Sequence, residues 1–82
     1  MPKMSRQRYI MPDDVKQALE QAGVMTDYLA RPDYQQNDYI GWITRAKRDE
    51  TRSKRIAQML AELEQGGVYM KMKHPASAKQ SG

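Results

Sequence analysis

A small all-α bundle is the fold class this sequence predicts, and three observations predict it. Apolar residues recur at i, i+3, i+4 and i+7 in several stretches. Proline and glycine punctuate the chain where helices of ordinary length would start and stop. Residues 39–63 hold the single tryptophan, the densest basic run and the two strongest helical patterns, which meet at the charged corner Lys47-Arg48-Asp49-Glu50. The expected architecture is three main helices, with room for a short extra one, in a helical domain over residues 11–70. A flexible arm, residues 1–10, precedes it, and a disordered tail, residues 71–82, follows.

Taken in order, residues 1–10 are polar and lack a helical stripe. Met-Pro-Asp-Asp then signals a helix, with Pro12 suited to the first helical position because its missing N–H costs nothing there. Asp13 and Asp14 follow in the first turn, facing the positive end of the helix dipole. Val15, Ala18, Leu19 and Ala22 make a narrow apolar stripe, and Gly23 is the natural stop. In residues 24–31, Thr26 or Asp27 is placed to cap a single turn with Met25, Tyr28 and Leu29 on one side. Pro32 ends that segment and opens the next, because the residue before a proline is pushed out of the α region.

The next helix is expected over residues 32–47, with Tyr39, Trp42, Ile43 and Ala46 as its stripe and Ile40 beside it. Gly41 interrupts it at a cost of ~1 kcal/mol relative to alanine. It is either a place where another helix approaches or a tolerated exposed glycine. Asp49 is the expected N-cap of the last helix, whose apolar face is Ile56, Met59, Leu60 and Leu63 and whose end is Gly66 and Gly67. Glu50 and Lys54 stand at i, i+4 in the favourable order. Residues 68–70 are candidates to fold back on the core, and residues 74–82 have linker composition. The expected core is Leu19, Tyr39, Trp42, Ile43, Ile56, Leu60 and Leu63, with Met59, Met70 and Met72 as gap-fillers.

Composition bounds the rest. A chain of 82 residues makes one domain at most, and one that buries only ~60% of the surface it exposes unfolded. It has no cysteine, so neither a disulfide framework nor a thiolate metal site is available. No apolar run approaches the ~18 residues of a membrane span, and Lys3, Arg6 and Arg8 are not followed by the apolar core of a signal peptide. The expectation is a cytoplasmic protein. The net charge of +4 is uneven: +3 over residues 1–10, −4 over residues 11–44 and +5 over residues 45–82.

Catalysis finds little to use. Nucleophilic chemistry wants a base beside Ser, Thr or Cys, and the single histidine, His74, stands in the expected tail. Gly66 and Gly67 lack the lysine of a phosphate loop, and Asp13 and Asp14 read as helix-stabilising acids rather than metal ligands. No enzyme, cofactor or metal is expected. The basic run Arg45, Lys47, Arg48, Arg52, Lys54 and Arg55 is the candidate partner-binding surface, for a protein or another anionic partner. Nucleic acid is a further candidate, with Tyr9, Tyr34 or Tyr69 available to stack on bases and affinity falling with salt. Against both stands the plainer reading, a solvated face whose arginines pair with Asp49, Glu50 and the acidic first helix. The corner is also charged and lacks the glycine that helix-turn-helix turns often show.

The residues of this stretch carry a family pattern: Asp38-Tyr39-Ile40-Gly41-Trp42-Ile43, then Ala46-Lys47-Arg48-Asp49-Glu50-Thr51-Arg52 and Arg55-Ile56, with Leu63 and Gly66 beyond. Met11-Pro12-Asp13-Asp14, Ala18-Leu19, and Leu29 before Pro32 fit the same order of elements. In these the chain resembles the C-terminal helical module of the YdeI/OmpD-associated, or bacteriocin-protection, family over about residues 11–70. Many members carry an additional N-terminal domain where this chain has a ten-residue arm, and Leu29 stands where an aromatic is common. The resemblance implies a small helical module linked to tolerance of bacteriocins or cationic peptides and to envelope stress. It implies no catalytic residues. The function expected is therefore a non-enzymatic binding or stress-protection module acting through the basic corner, with a nucleic-acid-binding domain as the alternative.

Overall fold

The structure, a computed structural model, describes residues 9–70 and 72–73. Helix α1 runs Asp13–Gln21, with Pro12 at the N-cap rather than at the first helical position expected of it. The Pro12 carbonyl accepts the Lys16 N–H at 3.0 Å, so the helix begins one residue later than the proline signal suggests. Gly23 ends it as expected. With φ +72°, it lets its own N–H reach Glu20 O and the Val24 N–H reach Leu19 O, both at 3.1 Å. These two bonds are a Schellman closure.

Helix α2, Met25–Ala30, is the short extra helix; Val24 occupies its N-cap in place of Thr26 or Asp27. Arg31 is extended (ψ 153°), as a residue before proline must be. Helix α3, Asp33–Thr44, stops three residues before the expected end at Lys47. Helix α4, Asp49–Gln65, starts with Arg48 at the N-cap and Asp49 inside the first turn, so the expected Asp49 cap is not formed. Gly66 (φ 72°, ψ 157°) closes α4 in a conformation that a side chain strongly disfavours.

A two-stranded antiparallel ribbon follows, β1 Val68–Tyr69 and β2 Met72–Lys73, in the register Val68↔Lys73 and Tyr69↔Met72. The ribbon takes in Met72–Lys73, which the sequence reading assigns to the tail. Residues 1–8, 71 and 74–82, most of the expected arm and tail, lie outside the described residues. Among the described residues no helix is long and apolar enough to cross a membrane.

Helix α4 is the spine, packing on α1, α2, α3 and β1. Val15 and Leu19 of α1, Val24, Tyr28 of α2, Tyr39, Ile40 and Ile43 of α3, and Met59 and Leu63 of α4 form one buried cluster. Each large aliphatic member contributes about 1.5–3 kcal/mol by leaving water. Of the expected core, Leu19, Tyr39, Ile43 and Leu63 are buried, while Trp42, Ile56 and Leu60 are half-buried and pack against it. The inward seam of α4 falls on Met59, Glu62 and Leu63, turned from the apolar face that hydropathy alone selects.

Gly41 is neither a helix-crossing point nor an exposed position. It is buried, and a Cβ built there would meet Tyr9 Cε2 at 2.6 Å. The Tyr9 ring therefore lies on the bare backbone of α3, and the Tyr9 N–H donates to Asn37 Oδ1 at 2.8 Å. Tyr9, part of the expected arm, is thus docked on the bundle. Alanine at 41 gains about 1 kcal/mol of helix propensity but must displace this ring. Gly41→Ala is expected to leave the parent chain no more stable, yet to stabilise a Tyr9→Ala background by about 1 kcal/mol. Urea unfolding of the four members of this cycle checks it, and equal gains in both backgrounds would remove the Tyr9 contact as the reason for glycine.

Candidate functional site

The corner between α3 and α4 is built from the end of one helix and the uncapped start of the other. At the end of α3, Gly41 O accepts the Arg45 N–H at 3.0 Å and the Thr44 hydroxyl at 3.2 Å. The Ala46 N–H turns to Ile43 O at 3.1 Å, leaving Trp42 O without the bond that a longer helix would supply. Arg55 fills that gap from α4. Its Nη1 donates to Trp42 O at 2.6 Å, and its guanidinium carbon lies 5.3 Å from the Trp42 ring centroid, a cation–π distance. One arginine thus ends α3 and holds the indole.

Arg52 makes the second tie. Its Nε and Nη2 donate to the two oxygens of Asp14 at 2.8 and 3.0 Å, joining the first turn of α4 to the first turn of α1. The bond to Arg52 holds the Asp14 carboxyl below the usual aspartate value. A lowered value means that this tie stabilises the fold above the unfolded aspartate pKa and is lost as pH falls through the folded one. Asp14 is half exposed, so the pair contributes no more than ~1 kcal/mol.

The six cations expected to form the site therefore divide. Arg52 and Arg55 are half-buried and engaged within the fold, while Arg45, Lys47, Arg48 and Lys54 are exposed. Glu50 and Lys54 are both exposed, and the i, i+4 pair expected of them is not formed. Asp49 and Glu50 share the corner, so residues 45–55 carry six cations against two acids.

A second cluster, which the sequence reading missed, lies inside the bundle. Arg31, Gln35 and Glu62 are buried there; Asn37, also buried, bonds the Tyr9 N–H instead. The Glu62 carboxylate accepts Tyr39 OH at 2.5 Å, the Met70 N–H at 2.8 Å and Gln58 Nε2 at 3.0 Å. Arg31 donates Nη1 to Gln35 Oε1 at 3.0 Å and Nη2 to the Glu62 carbonyl at 3.2 Å. Four elements thus meet at one residue of α4: the end of α2, α3, α4 itself and the ribbon. Burial, reinforced by the bond to Glu62, pushes the Tyr39 phenol well above the ordinary tyrosine range.

A spacing signal for this cluster existed. Arg31, Gln35, Tyr39 and Ile43 stand four apart, so the first two continue an apolar stripe in polar residues. Glu62 stands three after Met59 and next to Leu63, on the inward face. Among the described residues, no group of His, Cys, Asp and Glu is placed to hold a metal ion.

The corner residues and the helices around them are also those matched by a family model. A model described as bacteriocin-protection, YdeI or OmpD-associated matches residues 8–66. The chain belongs to that family. The match takes in the Tyr9 segment and all four helices and ends at Gly66, so it covers the helical bundle rather than a specifically C-terminal part of the family. No curated protein and no solved structure shows a significant match to the chain.

In this family member the raised Tyr39 value has a definite consequence. Its stabilising effect is fully present below the unfolded tyrosine pKa of about 10 and is lost as pH rises through the folded value. Tyr39→Phe is expected to cost about 1–3 kcal/mol at pH 7 by removing a donor from a buried carboxylate. It is also expected to flatten the loss of stability above pH ~10. Denaturant unfolding from pH 7 to pH 11 reads both, and an unchanged alkaline slope would separate that slope from Tyr39.

Proposed function

We propose that this member of the bacteriocin-protection family is a non-enzymatic binding module that engages an anionic partner through the α3–α4 corner. The observation that carries the reading is the division of labour among the corner cations. Arg52 and Arg55 fix the corner through Asp14 and Trp42, while Arg45, Lys47, Arg48 and Lys54 stand exposed around it. Four exposed cations around one corner give a positive surface that steers and complements an anionic partner. The well-placed acid and hydroxyls support a non-catalytic role, since Glu62, Tyr39 and Tyr69 are committed to bonds that hold the fold.

The proposal separates two sets of arginines and lysines by experiment. Alanine at Arg45, Lys47, Arg48 and Lys54 together is expected to abolish protection of cells challenged with a cationic bacteriocin, with helical signal and Tm unchanged. Arg55→Ala is expected to lower Tm, because it strips Trp42 of both its carbonyl partner and its cation. A fourfold variant that protects as well as the parent would remove the corner as the binding surface.

A further inference from the structure

The α3–α4 corner combines exposed charge with one aromatic edge. Arg45, Lys47, Arg48 and Lys54 are exposed there, beside the exposed acids Asp49 and Glu50. Trp42, the chain's single tryptophan, is half-buried at the same corner. The Arg55 guanidinium carbon lies 5.3 Å from its ring centroid, and the Tyr39 ring packs beside it with centroids 6.5 Å apart. Among the described residues the indole N–H meets no acceptor, and no buried side-chain nitrogen is left without one. This edge of the ring therefore reaches the surface.

These features sort the classes of anionic partner. A protein interface is built around a desolvated centre of large apolar or aromatic side chains. Ile10, Leu29 and Tyr34 are the exposed large hydrophobic residues among those described, and none belongs to the corner. Single-stranded nucleic acid wants an open aromatic face for its bases. Here Arg55 occupies one face of the indole, and the ring is half-buried beside Tyr39. Cations around an indole with a free N–H edge are instead the composition of surfaces that rest on a lipid headgroup layer. There the cations meet phosphates and the N–H meets headgroup oxygens.

Resting on the reading of the corner as a surface for an anionic partner, we propose that this partner is the anionic headgroup layer of a membrane. Arg45, Lys47, Arg48 and Lys54 supply the attraction, and Trp42 seats its indole N–H among the headgroup oxygens. Arg52 and Arg55 stay engaged with Asp14 and the Trp42 carbonyl. Asp49 and Glu50 oppose the attraction, so the contact strengthens with the density of anionic lipid and weakens as salt screens it.

Co-sedimentation of the full chain with vesicles of phosphatidylcholine, with and without phosphatidylglycerol, tests this, and Trp42 emission gives a second reading. Binding is expected only to the vesicles that contain phosphatidylglycerol, with emission moving to shorter wavelength. Both effects are expected to fade as salt rises from low to physiological levels. Alanine at Arg48 alone is expected to weaken binding about fivefold, and alanine at Arg45, Lys47, Arg48 and Lys54 together to abolish it. The salt series of the parent chain reads the same attraction without a substitution, so a fourfold variant that loses its helical signal does not void the test. The same chain is offered polyglutamate and a single-stranded oligonucleotide. Corner-dependent binding to either polymer, with none to the anionic vesicles, would overturn the lipid layer as partner and leave the corner as a surface for anions. Binding to none of the three would overturn both. Equal binding to the neutral vesicles, or anionic-vesicle binding kept by a folded fourfold variant, would overturn the corner cations as the means of attachment.

Discussion

A single buried carboxylate organises this fold. Glu62 lies on the inward seam of α4 and gathers donors from α3, from its own helix and from the ribbon, while Arg31 at the end of α2 reaches its backbone carbonyl. Removing a carboxylate from water is costly, and the cost is offset only when its oxygens are supplied with donors. That condition sets the rest of the arrangement. Tyr39 must point inward and the chain after Gly66 must turn back far enough to present the Met70 N–H, while Arg31 ties the end of α2 to the backbone carbonyl of the same residue. The nine-residue hydrophobic core supplies burial; the directional bonds to Glu62 add a geometric requirement that burial alone does not impose.

The outer ties share a logic with the inner one. Arg55 satisfies the carbonyl at which α3 gives out, and Arg52 joins the starts of α1 and α4. In each case a charged side chain supplies a partner where backbone or carboxylate would otherwise lack one. The corner cations that remain exposed owe their placement to these two arginines. The family match spans these corner residues and the interior network alike.

What was legible in the sequence was punctuation and apolar spacing. Gly23, Pro32 and the Gly66–Gly67 pair act where local backbone chemistry places them, and Val15, Leu19, Tyr39 and Ile43 lie on the faces their spacing marks. Helix starts were off by one because capping depends on ψ at a single residue: Pro12 and Arg48 take the N-cap positions, and neither caps its helix through its side chain. The interior polar residues were hidden for another reason. Hydropathy assigns Arg31, Gln35 and Glu62 to the surface, and only their mutual bonds make burial tolerable, which depends on contacts 31 residues apart. Gly41 was ambiguous until its neighbour was known, since a helix, solvent and a tyrosine ring leave the same mark in a sequence. The ribbon follows from contacts with Asp38 and Glu62, not from any strand pattern of its own.

The central claim is that the Glu62 carboxylate ties α3 and the ribbon to α4, and the most direct measurement is the stability of Glu62→Met at pH 7. The substitution keeps a side chain of similar length but removes both acceptor oxygens, so the Tyr39 hydroxyl, the Met70 N–H and Gln58 Nε2 lose their acceptor. Urea unfolding is predicted to show a loss of about 1–3 kcal/mol, a large share of the ~5–15 kcal/mol typical of such domains. A change of only a few tenths of a kcal/mol would contradict the account, and would return the fold to its apolar cluster alone.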